Sequence, residues 1–419
     1  MAPVLQKLHS FAGPVDSVFT SRHSSTVIVE AGGSLYTPHG PIGAVADVLA
    51  ARITADGRHW VAALELQDGR HVVIVDGREV ASYGYIHRSC AAISGDGARW
   101  AVFADTGRGE CCLVIDGTVY GPFLDCPPGT GFNARPLVFD GQNALWCPVK
   151  TAEDEWVLSR NGEIASEARQ LWRDVGFQSG SMRCRSRKDG KWFVHVGDRE
   201  WGPFGSAHEP RVSGNGEHVA FAARDDDGDC VVLNGKVIHR DHAVMMHVHV
   251  TDEGRVLAST EGNSVDVDFG SFLQPGERFD EEEYRRAAEA HAAAVAEAEL
   301  TTQIRFGDWV SERFGDCAAL AVSGNGRHIA FVASRGGAGF VGSRHRLWGG
   351  FDDVLHMDPL ALNDGRVAWM NECQDGAALL VDGHEVLRVD ACYGELREVD
   401  GGVGFVATRD NEVFWLSVG

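Results

Sequence analysis

The residues best suited to chemistry form a segment rich in histidine and methionine near the middle of the chain. It runs from His239 to His249 and includes His242, Met245 and His247. Imidazole and thioether groups are borderline-to-soft ligands that suit copper or zinc. Because side chains alternate along a strand, Met245, His247 and His249 would share one face. The pattern predicts a metal site at these three residues, although histidines that only satisfy local hydrogen bonds would leave the same pattern.

Other segments also place histidine next to ligand-type residues. His87 precedes Arg-Ser-Cys, His208 precedes Glu, and His356 precedes Met-Asp. If these segments are equivalent parts of a repeated unit and the units form a ring, the segments would lie around its axis. They would then meet His239 and His242 at one mouth of the channel along that axis. That arrangement would hold a metal or a small ligand, and the chemistry could be that of a lyase or an oxidase. A slip of one residue in strand register would turn each side chain away.

A repeated phrase supports such a unit. It reads ISGDGARWAVFA from Ile93, VSGNGEHVAFA from Val212 and VSGNGRHIAFVA from Val322. Asp-Gly and Asn-Gly are the preferred residues of two-residue hairpin turns, in which both central residues have positive φ. Each phrase therefore predicts two antiparallel strands around a tight turn.

A second Asp-Gly or Asn-Gly follows the first after 18 to 21 residues and predicts a second hairpin. The pairs are Asp56 with Asp76, Asp96 with Asp116, Asp140 with Asn161, Asn215 with Asn234, and Asp364 with Asp382. Two hairpins in each unit make a four-stranded meander. Units of about 40 residues with four strands are typical of propeller blades.

The phrase resembles the TolB-like, WD-repeat-like propeller repeats of bacteria, in which a Ser-x-Asp-Gly turn precedes an apolar strand. The resemblance covers nearly the whole chain apart from one insert. It implies an all-β protein, a β-propeller of four-stranded antiparallel blades. It leaves the activity open, since such propellers serve as scaffolds, as binding modules and in some cases as enzymes.

The number of blades follows from the first-turn residues. Nine are found, at Asp56, Asp96, Asp140, Asp189, Asn215, Glu253, Asn325, Asp364 and Asp400. A degenerate unit near Thr26 brings the count to ten, or to eight or nine if short units merge. The chain start, from Val4 to His9, resembles an outer strand, so we expect it to complete the C-terminal blade and to leave no open edge. Residues 1–419 are thus predicted to form a single propeller domain.

One segment departs from the repeat. Residues 278–303 are rich in alanine and glutamate and predict a helical insert within one blade. Asp280 and Glu283 form a capping box at its start. Packing against the blade edge and docking of a partner both fit its narrow apolar stripe. The residues that would contact a partner are Tyr284, Arg285, His291 and Val295.

Composition limits the classes of partner. The 419 residues carry a net charge of −22, which disfavours binding to nucleic acid. No run approaches the ~20 apolar residues of a membrane span, and the first residues lack an apolar signal core. We therefore expect no membrane partner, a cytoplasmic location, and free buried thiols among the ten cysteines.

Known catalytic signatures are absent from the sequence: no Gly-x-Ser-x-Gly, phosphate loop, His-Glu-x-x-His or Cys-x-x-Cys is found. The favoured hypothesis is a non-catalytic propeller scaffold that binds a protein partner through one face or through the helical insert. The alternative is a propeller with the histidine-rich metal or ligand site at its channel mouth. A third interpretation is a subunit of a larger assembly.

Overall fold

The computed structural model describes residues 4–11, 14–107, 110–125, 137–152, 155–166, 176–178, 181–241, 244–261, 302–335, 338–351, 359–373 and 376–418. The fold is a ten-bladed β-propeller, and each blade is an antiparallel sheet with four strand positions. None of the described residues lies in a helix. The literal repeat count of ten is therefore confirmed.

Blades 1 to 5 follow one another in the first half of the chain. Their strands are β2 (Val15–Thr20), β3 (Val27–Ala31), β4 (Ser34–Thr37) and β5 (Gly40–Ile42) in blade 1; β6 (Val45–Ile53), β7 (Trp60–Leu66), β8 (His71–Val75) and β9 (Arg78–Tyr83) in blade 2; β10 (Tyr85–Ile93), β11 (Trp100–Asp105), β12 (Cys111–Ile115) and β13 (Thr118–Phe123) in blade 3; β14 (Val138–Phe139), β15 (Leu145–Ala152), β16 (Glu155–Arg160) and β17 (Glu163–Ser166) in blade 4; β18 (Gly176–Gln178), β19 (Ser181–Lys188), β20 (Lys191–Val196) and β21 (Arg199–Phe204) in blade 5.

Blades 6 to 10 complete the fold. Their strands are β22 (Ser206–Ala207), β23 (Arg211–Val212), β24 (Val219–Asp225), β25 (Gly228–Leu233) and β26 (Lys236–Asp241) in blade 6; β27 (Val244–Val250), β28 (Val256–Glu261), β29 (Gln303–Phe306) and β30 (Trp309–Val310) in blade 7; β31 (Asp316–Val322), β32 (Ile329–Arg335), β33 (Ala338–Gly342) and β34 (Leu347–Phe351) in blade 8; β35 (Leu360–Ala361), β36 (Val367–Cys373), β37 (Gly376–Val381) and β38 (His384–Val389) in blade 9; β39 (Ala391–Val399), β40 (Gly402–Arg409), β41 (Glu412–Val418) and β1 (Val4–Ser10) in blade 10.

Two compact units divide these blades. The first comprises Met1–Gly202 with Val389–Glu395 and Gly404–Gly419, and the second comprises Pro203–Arg388 with Leu396–Val403. Within each unit, consecutive blades share apolar layers built from their buried second and third strands. One such layer in the first unit joins Leu35 of blade 1 to Trp60 and Leu64 of blade 2, all fully buried.

Blade 10 confirms the prediction for the chain start. Strand β1 pairs with β41 from Val4 opposite Ser417 to Ser10 opposite Glu412. It is the outermost strand of a sheet whose other strands all come from the C-terminal end. The pairing covers an edge of β41 that would otherwise be open.

The outer hairpins of blades 2, 3, 4, 6 and 9 have the two-residue turn that their Asp-Gly or Asn-Gly predicts. Val75 pairs with Arg78, so Asp76 and Gly77 alone form the turn, with φ of 48° and 83°. Positive φ at both central residues is the requirement that Asp-Gly and Asn-Gly meet.

The first turn of blade 2 differs from its prediction. Ile53 pairs with Trp60, so a six-residue connection separates the strands instead of two residues. In it Gly57 has positive φ (75°). The Thr54 hydroxyl and the Arg58 N–H both donate to Oδ1 of Asp56, at 2.6 and 3.1 Å. Hydroxyl and carboxylate side chains that bond nearby backbone groups stabilise this wider loop.

Blade 5 also corrects the sequence interpretation. The repeat predicts that Asp189 lies in the first turn of a shortened blade, but Lys188 pairs with Lys191 across it, between the second and third strands. The innermost strand β18 lies further upstream and spans three residues. Asp-Gly serves both kinds of turn, so the dipeptide alone does not identify which hairpin it closes.

The side chain of the outer-turn Asp or Asn ties that turn to the start of the second strand. Oδ1 of Asp76 accepts the Trp60 N–H at 2.9 Å, and Oδ1 of Asp116 accepts the Trp100 N–H at 2.8 Å. The same bond recurs from Leu145 to Asn161, Val219 to Asn234 and Val367 to Asp382. A fixed offset between the two turns in the sequence thus reflects a repeated hydrogen bond.

Replacing Asp96 tests the first-turn loop. Bonds from the Ser94 hydroxyl, the Ala98 N–H and the Asn143 amide lower the Asp96 pKa to about 2. We expect Asp96→Ala to melt at a lower temperature than the wild type at pH 7. Because the folded pKa lies below the ordinary value of 3.8, this stabilisation is present above pH 3.8 and is lost as pH falls towards about 2. The gap in melting temperature should narrow over that interval.

The control for this prediction is Asp96→Asn. Asn325 holds the same position in blade 8, where its Oδ1 accepts the Ser323 hydroxyl at 2.8 Å and the Arg327 N–H at 3.0 Å. The asparagine variant should therefore melt close to the wild type at pH 7. An alanine variant that melts with the wild type would show that these bonds do not stabilise the fold.

Candidate functional site

A cavity of about 540 Å³ opens between blades 3 and 4 in the first compact unit. This volume lies within the range of small-ligand sites. Its walls are formed by Tyr85, His87, Asp105, Glu110, Cys111, Pro122, Phe123, Leu124, Asp125 and Thr151. Of the histidines that the sequence singled out, His87 is the one that lines it.

Strand ends position these side chains. Tyr85 and His87 lie at the start of β10, and Asp105 ends β11, where it pairs with Tyr85. Leu124 and Asp125 form the link into blade 4, which is held by backbone bonds to Lys150. The cavity therefore sits where the innermost strand begins and the second strand ends.

The lining combines aromatic, apolar and acidic groups. The Tyr85 ring packs edge-on against His71 and His87, with centroid distances of 5.3 and 5.2 Å. Tyr85 and Leu124 are 43% and 64% exposed, which is high for large apolar groups. Asp105, Glu110 and Asp125 bring three carboxyl groups to the same walls. Such a surface suits a partner with an apolar anchor beside a positive charge.

The other predicted histidines lie in the second compact unit. His208 is half-buried between β22 and β23, and its N–H donates to the carbonyl of Ala222 at 2.8 Å. His249 is half-buried in β27 opposite Leu257. Since His87 belongs to the first unit, the convergence of these residues at one channel mouth stays a prediction.

His239 corrects the sequence interpretation. The repeat predicts that it lies in a loop leading into the innermost strand of the next blade, but it lies within β26, the outermost strand of blade 6. Pairing with β25 continues past it to Asp241 opposite Asp229, which extends the hairpin through the expected loop. His242 and His356 lie outside the described residues, as do Tyr284, Arg285, His291 and Val295.

A shift in strand pairing recurs in the innermost strands of several blades. It explains why the alternation of side chains did not predict which of them share a face. In blade 7 the pairing shifts between Met245 and Val248, so strict alternation from Met245 through His247 to His249 does not hold. The innermost strands of other blades shift at the matching place, seven residues before the first-turn residue. The shifted stretches of five blades contain the residues at this position, which are Leu49, Ser89, His208, Met246 and Ala318.

Bulges of this kind often re-aim side chains at functional sites. In this chain the same bulge carries Leu49 in blade 2 and Ala318 in blade 8, neither of which is a ligand type. The feature therefore belongs to the repeat, and a structural role accounts for it.

Metal binding finds no support in the described part of the chain. There, no three side chains from His, Cys, Asp and Glu converge closely enough to hold an ion. The side chains of Met245 and His247 are not described, so the copper or zinc site stays a prediction. All nine cysteines within the described ranges are free thiols.

Comparisons with known proteins found only solved structures of low similarity. No protein-family model matches the sequence, and no curated protein matches it. Among solved structures, a eukaryotic initiation factor shares 8% identity with a TM-score of 0.48, over 95% of this chain and 97% of that one. The β-propeller domain of Cps50 (Swd1) from Myceliophteria thermophila shares 10% sequence identity with a TM-score of 0.32, over 99% of this chain and 100% of that one.

The β-propeller domain of the trilobed protease from Pyrococcus furiosus shares 11% identity with a TM-score of 0.29, over 59% of this chain and 91% of that one. Similarities this low say nothing about activity or partners. The fold assignment rests on the sheet topology itself. Among the described residues, no helix is long and apolar enough to cross a membrane.

Proposed function

We propose that this chain is a TolB-like, WD-repeat-like propeller scaffold that binds a protein partner without catalysing a reaction on it. The observation that carries the proposal is the cavity between blades 3 and 4, where Tyr85 and Leu124 are exposed beside three carboxyl groups. Large apolar side chains that are exposed together at a concave surface mark interaction sites more often than single apolar side chains scattered over a surface do.

Charge supports a basic partner segment. The chain carries a net charge of −22, and the cavity adds Asp105, Glu110 and Asp125 to its walls. A partner that presents a lysine or arginine next to an apolar side chain would match both features. Electrostatic attraction of this kind raises association rates and is weakened by salt.

The insert is the second proposed contact. The strands on either side of it, β28 and β29, pair from Leu257 opposite Phe306 to Thr260 opposite Gln303. The segment that contains Tyr284, Arg285, His291 and Val295 therefore leaves blade 7 between its second and third strands. A partner could contact it without disturbing the pairing of that blade.

Two variants would separate these contacts. We expect Tyr85→Ala with Leu124→Asp to lower affinity for the partner about tenfold to hundredfold, as removal of central anchors does. The partner would first be identified by mass spectrometry after capture, then purified, and its dissociation constant measured by calorimetry at two salt concentrations. Deletion of residues 278–300 would test the insert in the same assay.

The matched control is Val119→Asp. Val119 is exposed on the outermost strand of blade 3, away from the cavity lining. Loss of binding in the cavity variant but not in this control would support the site. Unchanged affinity in both the cavity variant and the insert deletion would contradict the proposed surfaces. Chemical conversion of the bound partner by the purified chain would contradict the scaffold role.

A further inference from the structure

Blade 5 holds a serine, a histidine and a glutamate on three adjacent strands. Ser186 lies on β19, His195 on β20 and Glu200 on β21. Ser186 Oγ is 2.7 Å from Nε2 of His195, and Nδ1 of the same ring is 3.5 Å from Oε2 of Glu200. All three residues belong to the first compact unit.

The carboxylate indicates which way the serine bond runs. A carboxylate only accepts hydrogen bonds, so a glutamate near Nδ1 favours the tautomer with the proton on Nδ1. Nε2 is then the acceptor, and Ser186 donates to it. This order of hydroxyl, ring and carboxylate is the arrangement in which a neutral histidine acts as a base toward serine.

Burial keeps the ring in the neutral form that a base requires. Desolvation lowers the pKa of His195, and the nearby Glu200 raises it by less. The imidazole is therefore unprotonated at neutral pH. A base with a pKa below the working pH is ready to accept the serine proton.

Equivalent positions in other blades provide an internal comparison. The residue two positions before the turn that ends the third strand is His195 in blade 5, Ile74 in blade 2 and Val114 in blade 3. The residue on the second strand that lies opposite the position two before these is Ser186 in blade 5, Leu64 in blade 2 and Ala104 in blade 3. Those four side chains are apolar and at most 5% exposed. Blade 5 thus replaces an apolar contact of the repeat with a hydrogen-bonded pair of polar groups.

Exposure increases outward along the three residues. Ser186 is 6% exposed, and the side chains of His195 and Glu200 are 23% and 61% exposed. Solvent therefore approaches the serine from the side of the histidine. The serine lies opposite Phe193 in the sheet and beside buried Cys184. Because Ser186 is only 6% exposed, a substrate that reaches its hydroxyl must be small.

We propose that Ser186 is a nucleophile that His195 activates and Glu200 orients, and that it takes acyl groups from small esters. The bond from Oγ to the acyl carbon forms as the bond to the leaving oxygen breaks. The proton passes from Oγ to Nε2 and then to the leaving alcohol. In the second step water attacks the acyl carbon and the bond from that carbon to Ser186 Oγ breaks. His195 accepts the proton of the water and returns it to Oγ, and the carboxylic acid leaves. This activity is separate from the proposed scaffold function and does not depend on it.

The test uses the full chain with a fluorophosphonate probe and with p-nitrophenyl acetate. We expect one labelled serine, Ser186, in the Glu-C peptide of residues 168–200, and the label should be absent in Ser186→Ala. His195→Gln should slow both labelling and p-nitrophenol release about a hundredfold, in line with the usual contribution of a general base. Labelling of another serine, or none above the alanine variant, would overturn the proposal.

Glu200 is a positioning residue, so its test needs a pH profile. The labelling rate should rise with pH as His195 loses its proton, with a midpoint below 6.5. Glu200→Gln removes a charge that raises this pKa, so the midpoint should fall and the plateau rate should drop about tenfold. Glu79→Gln is the matched control, since Glu79 lies opposite Ile74, the counterpart of His195 in blade 2.

A second substitution guards against misfolding of the alanine variant. Ser186→Cys changes only the hydroxyl oxygen to sulfur, and the new thiol next to His195 should react with iodoacetamide at neutral pH. Fragment masses of the Glu-C peptide would distinguish its alkylation from that of Cys184, and each variant would be checked by its melting temperature. An introduced thiol that resists alkylation in the folded protein would show that the site is closed and would overturn the proposal.

Discussion

Removal of residues 1–11 should destabilise the protein more than any single substitution. The deletion takes away β1, which pairs with β41 along its length, and it breaks the ion pair between Lys7 and Glu412. At about 1 kcal/mol for each net backbone hydrogen bond lost, the cost is on the order of 5 kcal/mol. Apolar contacts add to that loss, because Leu8 and Phe11 pack against a cluster that includes Val413.

The exposed edge of β41 should also cause association. Val413 and Leu416 are at most 1% exposed in the intact blade. Without β1, that strand would present unpaired N–H and C=O groups, which template pairing with other chains. We therefore expect a lower melting temperature together with aggregates in size-exclusion chromatography.

Two controls make this prediction specific. Deletion of residues 1–3 leaves β1 intact and should melt like the full chain. A synthetic peptide of residues 4–11 should restore part of the melting temperature to the truncated protein by adding the missing strand in trans. A truncated chain that stays monomeric and melts with the full chain would show that β1 does not stabilise blade 10.

Gly97→Ala should have the second-largest effect. Gly97 has a φ of +72°, and a Cβ there would lie 2.1 Å from Cγ of His59 in the preceding blade. The left-handed conformation alone costs a residue with a Cβ about 1–2 kcal/mol. The overlap must also displace the His59 ring, whose Nδ1 lies 2.7 Å from Asp76 Oδ2. Urea denaturation should show a loss of more than about 2 kcal/mol.

Gly95→Ala is the matched control for this substitution. Gly95 stands two residues away in the same loop and has no positive φ, and a Cβ added there would have no neighbouring atom within 4 Å. It should lose little stability. The double variant His59→Ala with Gly97→Ala should recover part of the loss, since the two side chains would no longer collide. Equal stability of the Gly97 and Gly95 variants would contradict the proposed blade contact.

The sequence predicted the repeat well because turn chemistry is local. Asp-Gly and Asn-Gly at a constant spacing marked the outer hairpins, where both residues need positive φ. The wider first turn could not be predicted in this way, because its shape depends on the backbone N–H groups of Arg58 and His59, which donate to the Asp56 carboxylate and the Thr54 hydroxyl. The same dipeptide at Asp189 closes a different hairpin, and nothing local distinguishes the two.

The candidate sites were harder to predict, because they depend on register. The register shift between Met245 and Val248 interrupts an alternation that the residue types alone suggested, and pairing through Asp241 carries His239 into a strand. Ser186 and His195 are nine residues apart and share no known motif. A comparison of the repeats could have found them, since polar residues stand there in place of apolar ones.

By itself the sequence determined the all-β class, the four-stranded blade and the pairing of the chain start with the C-terminal blade, and its literal repeat count was ten, with eight or nine left open. Each of these follows from hydrophobic alternation and turn residues, which act within about 40 residues. Only the tertiary structure decided which side chains line the cavity between blades 3 and 4, and that Ser186 Oγ lies 2.7 Å from His195 Nε2. Those distances depend on bulges, strand ends and the packing of neighbouring strands, where a shift of one residue reverses the face that a side chain occupies.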